Sequence, residues 1–159
     1  MKTIWIFIGR TVFWLGWPIL FASNLFSKRT RVLVVCGEDV LLVRGWISDG
    51  EWNLPGGGLH SKEEPAEGAV RELKEETGIE VKATELQKIY SGMTSYEKGL
   101  KFFAHAYVIE FSKKPPTKKQ KIELLDLEWK NWQQVQNDPK TSKNLKKILN
   151  IWQSGKINN

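Results

Sequence analysis

The sequence predicts an α+β domain in which a mixed β-sheet packs between helices, preceded by an apolar N-terminal helix. Short β-rich runs predict the sheet, and two amphipathic segments at helical spacing predict the helices that cover it. The strands and helices do not alternate regularly, which argues against a doubly wound parallel fold. A length of 159 residues is sufficient for one domain with a hydrophobic core,.

The first segment, residues 3–26, is apolar and rich in Trp, Phe and Ile. Arg10 interrupts it, Gly16 and Pro18 would bend a helix, and basic residues follow at once in SKRTR,. Three interpretations stay open: a membrane-embedded or interfacial anchor, a helix folded onto the domain or into a dimer interface, and a cleaved signal peptide. We adopt the anchor, with residues 1–29 as this segment and residues 30–159 as a domain on the cytoplasmic side of a membrane. A soluble cytoplasmic protein is the alternative.

Within the domain, RVLVVC and VLLVRGW around GED predict a β-hairpin, and EWNLP predicts a short strand that Pro55 ends,. Residues 65–77 predict a helix with Pro65 in its first turn and Gly78 as its stop,. Strand-like runs follow at about residues 81–90, 101–111 and 122–129. A last amphipathic helix is marked by Leu145, Ile148, Leu149 and Trp152,.

The net charge of +6 is concentrated in two segments of the chain. Ten of the 24 cations lie within the first 31 residues or between residues 113 and 121, so the remainder has 14 cations against 18 acids. A uniformly basic nucleic-acid-binding face is therefore not indicated. The lysine run at 113–121 is predicted to be a solvated loop, with contact to a polyphosphate, RNA or anionic lipid as the alternative. The single Cys36 excludes an internal disulfide and a thiolate zinc site,.

The helix predicted over residues 65–77 carries Glu72, Glu75 and Glu76 at i, i+3 and i+4, so three carboxylates lie on one side of it,. Glycines 56–58 precede the helix and allow a close backbone approach to a ligand, and Glu63 adds a further carboxylate,. A solvated acidic face is the simpler interpretation. The glycines and the oxygen-rich cluster favour instead a Mg²⁺ or Mn²⁺ site beside a diphosphate.

The spacing of these residues resembles the Nudix box at every defining position. Five residues separate Gly57 from Glu63, and seven separate Glu63 from Arg71-Glu72-Leu73; single residues then precede Glu75-Glu76 and Gly78-Ile79. At average residue usage a chance match is on the order of 10⁻⁹ per start position. The chain is similar to the Nudix hydrolases over residues 31–132, with most of the specificity in residues 52–79.

The resemblance implies an α/β/α sandwich that hydrolyses the diphosphate bond of a nucleoside diphosphate linked to another group. It implies that a water activated by the metal attacks one phosphorus. By position in the box, four groups are expected to hold Mg²⁺ or Mn²⁺: the carbonyl of Gly57 and the carboxylates of Glu72, Glu75 and Glu76.

The resemblance also implies catalytic roles for three residues of the box. Arg71 would orient a glutamate through a salt bridge, and Glu72 or Glu76 would serve as general base. Glu123, outside the box, is a further candidate for the base, with an exposed edge charge as its other interpretation. Glu63 would support the loop or bind the metal through water.

Three residues are predicted to bind the substrate. Lys62, at a box position where many members have Gly, could contact a phosphate, whereas His60, where many have Glu, is predicted to lie on the loop surface. Trp46 could stack on a base, with burial in the sheet as its alternative, and Trp52 is predicted to lie in the core. Tyr96 lies 17 residues beyond the box, near where some dinucleoside polyphosphate hydrolases of the superfamily have a Tyr.

Two rival functions remain. The first is a non-catalytic Nudix-fold module that binds or senses a nucleotide at the membrane, against which the intact box argues. The second is a prenyl diphosphate isomerase, whose chemistry in this superfamily uses a catalytic cysteine, whereas Cys36 lies in an apparent core strand. The expected partners are a small nucleoside diphosphate derivative and, through residues 3–26, a membrane; nucleic acid is not indicated.

Overall fold

The computed structural model describes residues 28–45, 50–95, 101–119 and 124–157. The strands are β1 (Lys28–Cys36), β2 (Asp39–Gly45), β3 (Trp52–Asn53), β4 (Gln87–Ser95), β5 (Lys101–Glu110) and β6 (Leu124–Asn131). The helices are α1 (Pro65–Thr77), α2 (Trp132–Asn137) and α3 (Lys143–Ile157), with a 3₁₀ turn at Ala83–Glu85. The mixed sheet with helices on both faces confirms the predicted α+β sandwich. The predicted N-terminal helix lies outside the described residues, and none of the helices described here is long and apolar enough to cross a bilayer.

The sheet opens where the predicted hairpin of β1 and β2 divides. The two strands turn at Gly37, which has a φ of +59°, and they pair only beside the turn, at Val35–Val40 and Cys36–Asp39. Beyond this point β3 pairs with β2, while the backbone that follows Pro55 runs along the first half of β1. β1 is parallel to β5, which is antiparallel to β4, and β6 is antiparallel to β2.

Strand alternation divides the apolar residues of β1 between two cores, one on each face of the sheet. Val32 and Val34 lie in the core beneath α1, together with Ala69 and Leu73 of that helix. The other core contains Leu33 and Val35 of β1 beneath α2 and α3, and these helices add Val135, Leu145, Ile148, Leu149 and Trp152. Trp52 is 4% exposed in this second core, as predicted.

The observed elements differ from the predicted ones mainly at their ends. α1 spans the predicted residues, and Gly78 caps its C-terminal end with a φ of +75°. The run predicted at 81–90 begins with the 3₁₀ turn, which is closed by a hydrogen bond of 2.7 Å from Lys82 N–H to the Glu85 carboxylate, so β4 starts only at residue 87. The sequence analysis does not predict α2, because six residues are too few to show a helical period. Cys36 ends β1 and is half-buried.

Candidate functional site

The glycine-rich loop that precedes α1 is fixed to the first half of β1. Thr30 N–H donates to the carbonyl of Gly57 at 2.9 Å, and Leu59 N–H donates to the carbonyl of Lys28 at 3.0 Å. The loop therefore extends the sheet along the edge that β2 has left. As a result, the position of the loop backbone is set by the core strand rather than by the loop alone.

Two of the three consecutive glycines have no room for a side chain. A Cβ at Gly56 would lie 2.2 Å from the carbonyl oxygen of Thr30, and the φ of Gly56 is +140°. A Cβ at Gly57 would lie 2.4 Å from a carboxylate oxygen of Glu72, whereas a Cβ at Gly58 would meet nothing within 4 Å. Gly56 is thus required by the strand, and Gly57 leaves the space that the Glu72 carboxylate occupies.

α1 turns two of its glutamates towards this loop and buries them. Glu72 is 5% exposed and Glu76 is 8% exposed, whereas the side chain of Glu75 is 43% exposed. Gly56 N–H donates to Oε2 of Glu76 at 2.8 Å. A solvated acidic face would leave all three carboxylates in water, so burial of Glu72 and Glu76 against the loop argues against that interpretation.

Arg71 links three carboxylates to the loop backbone. Its Nε donates to Oε1 of Glu63 at 2.8 Å, and its Nη1 donates to Oε1 of Glu72 at 2.9 Å and of Glu75 at 3.5 Å. Its Nη2 donates to the carbonyl of Gly58 at 3.0 Å and to Glu63. The sequence analysis expected a salt bridge to one glutamate, and a guanidinium with its several donors makes contacts to three.

The same contacts keep Glu63 and Arg71 in their ionised forms. The hydrogen bond from Arg71, followed by the one from the backbone N–H of His60, lowers the pKa of Glu63 to about 2. The bond to Glu63 in turn raises the pKa of Arg71 above its ordinary value. The pair therefore stays ionised over the whole neutral and mildly acidic range, and its geometry does not depend on pH there.

The predicted substrate-binding residues are placed unevenly. Lys62 is exposed and has a φ of +64°, a left-handed conformation that accounts for the frequent glycine at this box position,. His60 lies on the loop surface, as predicted, with 71% of its side chain exposed and Nδ1 3.9 Å from Glu63. Trp46, Tyr96 and the candidate base Glu123 lie outside the described residues. Their roles, and the phosphate contact of Lys62, stay predictions.

The donor groups of this site fit a hard divalent cation in their chemistry. All are carboxylate or carbonyl oxygens, and the carbonyl of Gly57 keeps a second lone pair beside its bond from Thr30,. Across the residues that the structure describes, no three carboxylate, imidazole or thiol groups converge closely enough to hold a metal ion as they stand. Metal binding would therefore require these carboxylates to move closer together than they lie here.

The sequence analysis gave no binding role to Arg31, which it counted with the N-terminal charge and placed at the start of the first predicted strand. β1 places this residue beside the glycine-rich loop before α1, called the box loop below, since a Cβ on Gly56 would lie 2.9 Å from the Arg31 Cα. By strand alternation Arg31 shares a sheet face with Leu33 and Val35,. A charged residue in register with core-facing apolar residues is the signal that could have identified it.

Comparison with known proteins gives results at the level of family and fold. Residues 27–150 match the family model of the NUDIX domain. A MutT-like protein of Streptomyces ambofaciens is 42% identical over 70 residues, which are 44% of this chain and 46% of that protein. Diphosphoinositol polyphosphate phosphohydrolase 2 of Mus musculus is 40% identical over 68 residues, which are 41% of this chain and 38% of that protein.

Among solved structures, a MutT protein from Methanosarcina mazei superposes with a TM-score of 0.69 at 18% identity. The match covers 82% of this chain and 95% of that one, and at this identity it shows a shared fold. The chain matches less than half the length of each of the two curated relatives described above.

Proposed function

The chain belongs to the Nudix family, and we propose that it hydrolyses a diphosphate bond in a nucleoside diphosphate-linked substrate, assisted by Mg²⁺ or Mn²⁺. One observation carries this proposal: two glutamates are buried against the glycine loop. Glu72 fills the space beside Gly57, and Glu76 accepts the N–H of Gly56. Burial of carboxylates is unfavourable unless hydrogen bonds or a cation compensate it, so their placement favours a functional charge site.

We expect the metal to be held by the Gly57 carbonyl and by the carboxylates of Glu72, Glu75 and Glu76. When bound, the cation supplies Lewis-acid chemistry, since it lowers the pKa of water and neutralises negative charge on a diphosphate. Oε1 or Oε2 of Glu72 or Glu76 accepts the proton of the attacking water. Arg71 holds the Glu72 and Glu75 side chains in orientation, and Glu63 fixes Arg71,. Glu123 is the alternative base.

The finer identity of the substrate is part of the proposal. Lys62, at the exposed turn before α1, is proposed to contact a phosphate because of its position in the box. Trp46 and Tyr96 are proposed to contact the nucleoside,. Of the two curated relatives described above, one has a name that states a substrate, and that substrate is a diphosphoinositol polyphosphate. Support for the nucleoside part is therefore confined to the resemblance of the box and its flanking aromatic residues.

Attachment to the inner face of a membrane is a separate proposal that rests on the apolar residues 3–26 and the cations that follow them,. Cell fractionation tests it. Full-length protein should sediment with membranes, and a chain that lacks residues 1–26 should be found in the supernatant. Full-length protein that remains in the supernatant without detergent would contradict the anchor.

The activity is tested on the full-length chain in mild detergent with a panel of nucleotides and nucleotide sugars. Products are identified by mass spectrometry in the presence of Mg²⁺ or Mn²⁺, and parallel reactions contain excess EDTA. We expect cleavage between two phosphorus atoms with the metal, none with EDTA, and recovery when Mg²⁺ is added back. Hydrolysis that persists in excess EDTA would refute the metal role. Calorimetric binding of a nucleotide without any product would favour the sensor module.

A further inference from the structure

A small cleft opens on the sheet face opposite α1, between the strands β1, β3, β4 and β5 and the helix α3. β5 contributes Phe102 and two small residues, Ala104 and Ala106, to the lining of the cleft. Of the ten described residues that line it, none carries a carboxylate and six carry hydrogen-bond donors: Arg31, Asn53, Tyr90, Thr94, Asn144 and Lys147. The cleft therefore has a cationic rim above an apolar floor.

Neutral groups hold the two cations of the cleft in place. Lys147 Nζ donates to the hydroxyl oxygen of Tyr90 at 2.8 Å and lies 4.2 Å from the centre of its ring. The Tyr90 hydroxyl donates its own proton to the carbonyl of Met93 at 2.8 Å. Arg31 Nη1 donates to the carbonyl of Thr30 at 3.0 Å. These contacts orient the ammonium and the guanidinium without neutralising their charge.

Gly56 connects the box loop with the cleft, because it contacts both Glu76 and the backbone of Arg31. Gly56 donates its N–H to Glu76 on one side, and on the other side the position of its missing Cβ is 2.9 Å from the Arg31 Cα. Asn53, which also lines the cleft, precedes Gly56 by three residues. A substrate that extends from the carboxylates past this loop would come close to Arg31, and Lys147 lines the same cleft.

We infer that this cleft binds a second phosphate group of the substrate, distinct from the diphosphate that is cleaved. The inference rests on the proposed function, because it assigns recognition of the same substrate. The cleft offers two cations, four neutral side chains with hydrogen-bond donors and no carboxylate, a lining that suits a phosphate group,. Hydrogen bonds from a guanidinium or an ammonium to phosphate are charge-assisted and about twice as strong as neutral ones.

The test measures binding rather than turnover, with ligand pairs that differ by one phosphate. Full-length Glu76→Gln protein in Mg²⁺ is titrated calorimetrically with ADP-ribose and with 2′-phospho-ADP-ribose, and then with adenosine 5′-triphosphate and 5′-tetraphosphate. We expect the additional phosphate to lower Kd by about tenfold or more in one pair. The first pair represents a phosphate on a sugar and the second a phosphate at the end of a chain. No gain in either pair would overturn the inference.

Substitutions locate the gain in the cleft. Lys147→Gln and Arg31→Gln should each abolish the advantage of the additional phosphate while affecting the simpler ligand little. Lys146→Gln removes the same charge from the adjacent residue of α3, which does not line the cleft, and should keep the full advantage. An equal loss in Lys146→Gln would reduce the effect to general surface charge and refute the site. If the wild-type chain hydrolyses its substrate but the additional phosphate does not lower Kd, this inference alone is refuted. If the additional phosphate lowers Kd, Lys147→Gln abolishes that effect and the wild-type chain shows no hydrolysis, the proposed function alone is refuted.

Discussion

The two faces of the sheet use their helices in different ways. α1 contributes only Ala69 and Leu73 as fully buried apolar residues and turns buried Glu72 and Glu76 towards the loop. α3 contributes four buried apolar side chains, Leu145, Ile148, Leu149 and Trp152, and places Lys147 at the rim of the cleft. The comparison indicates that one face carries the proposed chemistry and the other supplies most of the helix–sheet packing. Substitutions on the two faces should therefore separate activity from stability.

The largest effect is expected for Glu76→Gln on the α1 face. The glutamine carbonyl can still accept the Gly56 N–H, so the change removes a charge and keeps a hydrogen bond. We expect hydrolysis to fall by about 10²–10³-fold, as when one group that stabilises charge in a transition state is removed. The free energy of unfolding should change little. Steady-state kinetics and urea unfolding check the two parts, and near-normal hydrolysis would contradict the assignment.

The opposite result is expected for Leu149→Ala on the α3 face. Leu149 is 1% exposed in the core between α3 and the sheet, so its truncation should lower the free energy of unfolding by about 2–5 kcal/mol,. Activity per folded molecule should be retained below the unfolding midpoint. Urea unfolding followed by tryptophan fluorescence, with activity normalised to the folded fraction, measures both. A loss of activity without a loss of stability would show that the two faces are not separable.

The three consecutive glycines provide a finer test within the α1 face. Gly56→Ala places a methyl group against the β1 backbone at an unfavourable φ and should cost about 1–3 kcal/mol of stability,. Gly57→Ala meets only the end of the flexible Glu72 side chain, so it should displace this carboxylate and reduce activity while the fold is retained. Gly58→Ala is the matched control and should stay within about 0.5 kcal/mol of the wild type,. Equal stability of the Gly56→Ala and Gly58→Ala proteins would disprove the packing of the loop on β1.

The smallest effect concerns the acid stability of the Arg71 cluster. Because folding lowers the pKa of Glu63 from 4.5 to about 2, this carboxylate stabilises the fold above pH 4.5, and that contribution is lost as the pH falls to about 2,. In Glu63→Gln the free energy of unfolding should be lower at neutral pH and should fall less steeply across this range. Thermal unfolding at a series of pH values measures the slope. Glu67→Gln, at an exposed position of the same helix, should run parallel to the wild type.

The sequence predicts best what short spacing determines. The limits of α1, its buried apolar face and the side on which Glu72 and Glu76 lie all follow from a helical period within 13 residues,. The positive φ of Gly78 likewise follows from the need to end a helix,. These features are local, and no distant contact is required to specify them.

Long-range pairing determines the features that the sequence could not predict. The box loop lies along β1 because β2 and β3 separate from that strand, and no pattern near the glycines reports this pairing. The cleft around Arg31 and Lys147 combines residues more than 100 positions apart. The left-handed turn at Lys62 runs against the ordinary preference of a lysine, so it too depends on its surroundings,.

The hydrogen bond from Leu59 N–H to the Lys28 carbonyl limits the distance between the proposed site and a membrane bound by residues 3–26. Lys28 is the first residue of β1, and its carbonyl lies 3.0 Å from the Leu59 nitrogen at the start of the box loop. If residues 3–26 lie in a bilayer, only a short stretch of chain separates that bilayer from the carboxylates of Glu72 and Glu76. This short connection would restrict the reaction to substrates that reach the lipid headgroups. The membrane surface would then help to determine which diphosphates are cleaved.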